Sequence, residues 1–151
     1  MAYPTALVGY TGFVGGNLAA HAASAWRERP YAAIDAVDDV SARPDFAVLV
    51  YPWNLVKGED KERNLPLELR PEFPVDATSP QTFIVQTMDD PFHVENAFAY
   101  ADALKRAGVG CELHVYPKGR HGYALRSPGS PHGDWPILAA RWLRGVRPDV
   151  R

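Results

Sequence analysis

An α/β fold, a parallel sheet of about four strands covered by helices on both faces in three layers, is what this sequence predicts. Three observations carry that reading. Four short β-rich runs, at residues 5–9, 46–51, 82–87 and 112–116, alternate with helix-patterned segments, and such alternation makes βαβ units. The first three runs (ALVG, FAVLVY and TFIVQT) are nearly continuously apolar, as strands buried on both faces are. The chain has 151 residues, 46% hydrophobic and 23% charged, enough for the core of one domain spanning 1–151.

The elements follow in order. The first strand runs into a glycine-rich turn and then an alanine-rich helix over 17–27. After the second strand, residues 52–80 are rich in proline and charge and read as a long surface excursion; a loop of this length carries function or some order of its own. The third strand leads to a helix over 94–107, with Val94, Ala97, Phe98, Ala101 and Leu104 on one stripe and Gly108 at its end. In the fourth strand Leu113 and Val115 alternate with Glu112, His114 and Tyr116. Cys111, which opens it, reads as a small buried hydrophobe. The last helix, over 135–143, has Pro136 in its first turn, where the missing N–H costs nothing.

Composition excludes several classes of partner. A net charge of −2 and no basic run argue against nucleic acid. No apolar stretch approaches the ~20 residues needed to cross a bilayer, and the first residues lack the pattern of a secretion signal. The single cysteine forms no internal disulfide and no cysteine-rich metal site. A cytoplasmic protein is expected. His132, in a proline- and glycine-rich loop, reads as solvated, and no histidine spacing matches a metal motif. No cofactor is expected.

The second half holds the informative pattern. MDDPFHVENAFAY follows the third strand and YPKGRHGYALR the fourth. An acid after one strand and a histidine after the next is the chain order of the last two members of a Ser…Asp…His set. Loops at the carboxyl ends of neighbouring parallel strands lie side by side. There Asp90 or Asp89 can hold His121 through Nδ1 and fix its tautomer. The same acids equally suit capping of the following helix.

The segments RPDFAVLVYP, TFIVQTMDDP, VENAFAYADALKRAGV, ELHVYPKGRHGY and WPILAARWL resemble the C-terminal half of an α/β-hydrolase. They are closest to the acetyl-esterase or xylan-esterase-like branch related to dienelactone hydrolases. The resemblance implies half of an α/β-hydrolase sheet, with the N-terminal strands of the family absent. It implies hydrolysis of small acyl esters, His121 as general base, and Asp90 as its orienter with Asp89 next in line. At the nucleophile elbow, where the family has G-x-S-x-G-G, this chain reads GFVGG from Gly12, one residue shorter and without serine. Counting from the strand puts Val14 in the nucleophile's place; counting back from the helix puts Phe13 there. Neither attacks a carbonyl, and Thr11 is the nearest hydroxyl. Weak or lost activity is therefore expected, with a non-catalytic binding or assembly module as the alternative. A sheet beginning at the family's fifth strand exposes the edge of residues 5–9 and an uncovered face. That predicts a homodimer through one or the other.

A rival reading takes the same stretch as a nucleotide site. Gly9, Gly12 and Gly15 resemble the glycine turn of extended short-chain dehydrogenases, and Asp35 stands 20 residues after Gly15, where an acid can bind a ribose hydroxyl. Backbone N–H groups at a helix N-terminus attract pyrophosphate. No Tyr-x-x-x-Lys pair follows to support a reductase.

Overall fold

Four parallel strands form one sheet, β1 (Ala6–Gly9), β2 (Phe46–Val50), β3 (Gln81–Thr87) and β4 (Cys111–Tyr116), in that spatial order. The structure is a computed structural model and describes residues 6–9, 12–27, 31–58 and 65–146. Three α-helices join the strands or follow them, α1 (Gly12–Ser24), α2 (Glu95–Arg106) and α3 (Trp135–Val146).

Strand alternation divides the core in two. Phe46, Val48 and Val50 of β2 and Phe83 and Val85 of β3 point to one face, where Trp135, Ala139 and Trp142 of α3 cover them. Leu49 and Ile84 point to the other, against Ala19 and Ala20 of α1 and Ala97, Tyr100 and Leu104 of α2. The result is three layers. Because β2 and β3 are buried on both faces, the bare face expected for a shortened sheet is not present over these strands. The open edge lies along β1, which pairs only with β2 among the described residues; Thr5 lies outside them. No described helix is long and apolar enough to cross a membrane.

Three local features differ from expectation. Helix α1 starts at Gly12 rather than at residue 17, and so takes the glycine run inside it. Glycine in a helix interior ordinarily costs about 1 kcal/mol relative to alanine, so the position needs a reason. At Gly16 a Cβ would stand 2.8 Å from the Pro52 Cα and 3.1 Å from the Val50 carbonyl oxygen, both backbone atoms that cannot give way. Gly16→Ala is therefore expected to destabilise, by about 1–3 kcal/mol, against the sign that propensity alone predicts. Thermal or urea unfolding checks it.

The excursion after β2 is not a surface loop throughout. Leu55, Val56 and Phe73 are buried, and Val56 bridges Leu69 in antiparallel pairing. Leu55 and Phe73 fill the core under α2, which is the order the long loop needed. Cys111 is exposed, since it begins the outermost strand.

Candidate active site

Backbone strain points to one rim of the sheet. Among the described residues, five non-glycine residues have φ between +40° and +69°: Tyr51, Asn54, His93, Arg120 and Ala124. All five lie in the segments that leave the carboxyl ends of β2, β3 and β4. Such conformations cost about 1–3 kcal/mol each and persist where the surroundings over-determine them.

The acid loop after β3 and the histidine loop after β4 meet there. His121 Nδ1 lies 2.9 Å from Asp90 Oδ2 and 3.1 Å from Oδ1. The Asp90 side chain is 0% exposed and that of His121 10%. Asp90 Oδ1 also accepts the Phe92 backbone N–H at 2.8 Å, and Oδ2 accepts Gln86 Nε2–H at 3.2 Å. A buried carboxylate is tolerated only when paired and hydrogen-bonded, and Asp90 meets both conditions. The imidazole is held between two rings, Tyr51 at 4.6 Å and Phe92 at 4.7 Å between centroids. Tyr123 extends the cluster, edge-on to Tyr51 at 4.8 Å. Burial, then the negative charge of Asp90, push the Tyr123 hydroxyl well above the ordinary phenol range, so it keeps its proton at any working pH.

Asp89, the other acid of the pair, has a different job. Its Oδ1 accepts the Arg120 backbone N–H at 2.8 Å, while buried Thr87 donates its Oγ1–H to the Arg120 carbonyl at 2.9 Å. Both backbone groups of Arg120 are thus fixed, and the left-handed turn at this residue delivers the next ring, His121, to Asp90. Gly119 just before it leaves no room for a side chain: a Cβ would stand 2.7 Å from Thr87 Cγ2 and 2.9 Å from the His132 ring. His132, expected to be solvated, is partly buried and lies edge-on to Tyr123 at 5.0 Å.

The Arg120 N–H is the main reason the Asp89 carboxyl sits below its usual value. A carboxyl lowered in the folded state contributes stability that is present above its unfolded value, about 3.9, and lost as pH falls through the folded one. The clamp is therefore expected to hold at neutral pH and to release only in acid below that value. Asp89→Ala removes it at every pH, and amide hydrogen exchange at Arg120 is expected to quicken near neutrality while the amides of β3 keep their protection.

Other positions the sequence singled out lie elsewhere. Asp35 caps the 3-10 turn Ala36–Asp39, accepting the Val37 N–H at 2.9 Å in a reciprocal capping box with Asp38. Gly9 ends β1, Gly12 opens α1 and Gly15 lies within it. Val14 is on α1 and 61% exposed, and Thr11 lies outside the described residues. His114 pairs with Glu112 at 2.8 Å.

Two residues that hold the site gave no sequence signal. Asn96 of α2 is 1% exposed. Its Oδ1 accepts the N–H groups of Leu55 and Val56 at 2.7 and 3.2 Å, and its Nδ2 donates to the carbonyls of Phe92 and His93, both at 2.8 Å. One amide thereby ties the loop after β2 to the loop after β3. Gln86, whose side chain reaches Asp90, is also fully buried. Asn96 sits on a helix face where a polar letter reads as surface, and Gln86 is a polar letter near the end of a run that reads as an apolar strand.

Comparison with known proteins bears on the fold and the family. A family model described as the prolyl oligopeptidase family matches residues 9–138. An acetylxylan esterase of Xylanibacter ruminicola is 24% identical over 75% of this chain and 27% of its own length. Among solved structures, an acetyl ester-xyloside bifunctional hydrolase from Caldicellulosiruptor lactoaceticus superposes with a TM-score of 0.71 at 29% identity, over 92% of this chain and 55% of that one. MGS-M1, an α/β hydrolase enzyme from a Medee basin deep-sea metagenome library, gives 0.66 at 26% identity, over 93% and 53%. The chain thus spans about half the length of these solved relatives and about a quarter of the curated one.

Proposed function

The chain belongs to the prolyl oligopeptidase family and has the architecture of a partial α/β hydrolase related to carboxylic-ester hydrolases; from that premise we propose that it hydrolyses small acyl esters slowly, with His121 as general base and Asp90 as its orienter. The observation that carries the proposal is the 2.9 Å contact between His121 Nδ1 and the fully buried Asp90 carboxylate. A carboxylate on Nδ1 keeps the proton there and leaves Nε2 as the basic nitrogen. Residues 12–16 carry no hydroxyl, so the proposal supplies solvent water as nucleophile. Nε2 takes a proton from water as the water oxygen attacks the carbonyl carbon. The imidazolium then returns that proton to the departing alcohol as the tetrahedral intermediate collapses. Removing the nucleophile from a complete triad costs about 10⁶ in kcat and leaves about 10³–10⁴ over water, which sets the scale of slowness.

p-Nitrophenyl acetate tests it. Slow turnover above background, lost in His121→Ala, with no adduct to a fluorophosphonate probe by intact mass, is the expected result. Turnover unaffected by His121→Ala sinks the proposal. An adduct mapped to a serine replaces water by that hydroxyl. The missing elbow serine favours one second reading, a non-catalytic binding module, for which saturable binding of an unreactive ester analogue without any turnover is the signature.

The proposal extends to assembly and location. The side of β1 away from β2, unpaired among the described residues, can take a strand from a second copy, and sedimentation at twice 16.7 kDa rather than 16.7 kDa is the expected outcome. A reducing, cytoplasmic setting suits a chain with one cysteine; fractionation of expressing cells checks it.

A further inference from the structure

Gln86 is fully buried at the carboxyl end of β3. Its Nε2 faces two acceptors, Asp90 Oδ2 at 3.2 Å and the His93 carbonyl at 3.4 Å. Both neighbours are acceptors, so the amide nitrogen, not the oxygen, belongs on this side. That choice leaves Gln86 Oε1 buried without a hydrogen-bond partner. An unsatisfied buried acceptor costs about 1–3 kcal/mol. Leucine or methionine of similar bulk would fill the same space, following Phe83, Ile84 and Val85 at the centre of the strand, without that cost. Stability alone gives no reason for an amide here.

The two bonds Nε2 makes supply the reason. Gln86 and His121 both donate to Asp90 Oδ2, so the carboxylate is gripped from opposite partners. Phe92 N–H holds Oδ1. Removing Gln86 Nε2 leaves Oδ2 with His121 Nδ1 alone among these donors, so the carboxylate can swing about its Cβ–Cγ bond around the Phe92 anchor at Oδ1 and loosen the Nδ1 bond. The second bond, to the His93 carbonyl, fixes the amide to the left-handed residue of the acid loop.

We infer that Gln86 is a positioning residue that locks the Asp90 carboxylate in register with the His121 imidazole. The inference rests on the proposed roles of that pair, but its test reads the pair directly and needs no turnover. The negative charge of Asp90 acts in turn on the hydroxyls of Tyr51 and Tyr123, which burial above all holds in the protonated form through the range probed.

Two variants of similar volume decide it. Gln86→Met keeps the packing and removes the donor. The low-field proton resonance of His121 Nδ1–H is expected to broaden into exchange with solvent, while the melting temperature moves little or rises. Gln86→Glu places a second carboxyl on Asp90 Oδ2, and two carboxyls in such contact share one proton. A carboxyl titration well above the ordinary range, near 4, is then expected in ¹³C spectra of the labelled protein, with the Nδ1–H resonance retained because the shared proton replaces the amide donor. A Gln86→Met protein that keeps the parent's Nδ1–H resonance and imidazole titration overturns the inference. So does a Gln86→Glu protein whose carboxyls all titrate normally. If the parent hydrolyses no ester yet Gln86→Met loses the resonance, the proposed activity fails and the positioning role stands. If the parent is active and Gln86→Met is indistinguishable from it, the reverse holds.

Discussion

Replacing Asp90 with alanine is expected to lower stability by about 3 kcal/mol or more, since buried groups that lose a hydrogen-bond partner cost about 1–3 kcal/mol each. The carboxylate is fully enclosed and accepts from His121 Nδ1, Gln86 Nε2 and the Phe92 N–H. Truncation takes away the acceptor these three donors share, leaving Gln86 Nε2 only the His93 carbonyl at 3.4 Å. Against a total stability of about 5–15 kcal/mol, that is enough to unfold a large share of the protein, so the more telling variant is Asp90→Asn. It keeps the volume and the oxygen that accepts from Phe92. The position facing His121 and Gln86 becomes an NH₂, and two N–H donors now meet it. To avoid that clash at Nδ1 the imidazole must move its proton to Nε2, the nitrogen that the proposed mechanism uses as base. The expected outcome is a folded protein, a changed imidazole tautomer in ¹⁵N spectra, and ester hydrolysis reduced to background; loss of the tautomer costs about 10⁴ where a full triad is present. An Asp90→Asn protein with the parent's tautomer and rate would remove Asp90 from the site.

What made the sheet legible was its double coverage. Phe46–Val50 and Gln81–Thr87 are buried along nearly their whole length, so their sequences carry no polar alternation to confuse with a loop, and the edges of the runs fell within a residue of the strands. Choosing between two adjacent acids was a different kind of problem. Asp89 and Asp90 have the same chemistry and the same spacing to His121 within one residue. What separates them is the turn after Thr87, which leaves Asp89 exposed and sends Asp90 inward. Backbone torsions decide that, and the amino-acid string does not print them. The glycine run was misplaced for a related reason. Three glycines normally mark a turn, and here the close passage of α1 over Pro52 requires one of them inside a helix.

Buried polar residues were the part sequence reasoning had no means to find, and Asn96 has the largest expected effect among them. In ENAFAY it sits off the stripe of Val94, Ala97, Phe98, Ala101 and Leu104 that the sequence marks, where an asparagine reads as solvated; in the fold Tyr100 joins Ala97 and Leu104 in the core while Phe98 is half-buried. In the fold the loop after β2 turns back over α2 and covers it, and its four hydrogen bonds, two accepted and two donated, use the full amide. Asn96→Ala would strand the N–H groups of Leu55 and Val56 in a dry interior and take a donor from the carbonyls of Phe92 and His93, the latter keeping the backbone N–H of residue 96 at 3.2 Å and Gln86 Nε2 at 3.4 Å. Unsatisfied buried groups cost about 1–3 kcal/mol each, and with partial relaxation the expected loss is about 3 kcal/mol or more. Asn96→Asp separates hydrogen bonding from packing. The carboxylate still accepts from Leu55 and Val56, but it points an oxygen at two carbonyls, so the variant is expected to be nearly as unstable as Asn96→Ala at neutral pH. It should recover part of the loss in acid, where a protonated carboxyl donates to one of those carbonyls. The sign follows from linkage: a carboxyl whose pKa is raised by folding binds more protons folded than unfolded, and stability rises as pH falls. Because Phe92 packs edge-to-face on His121 and Trp53 packs on Phe92 at 6.2 Å, loosening these loops also frees the imidazole. Asn96→Asp at neutral pH with the parent's unfolding midpoint and the parent's exchange rates at Leu55 and Val56 would mean that the loops are held by packing alone.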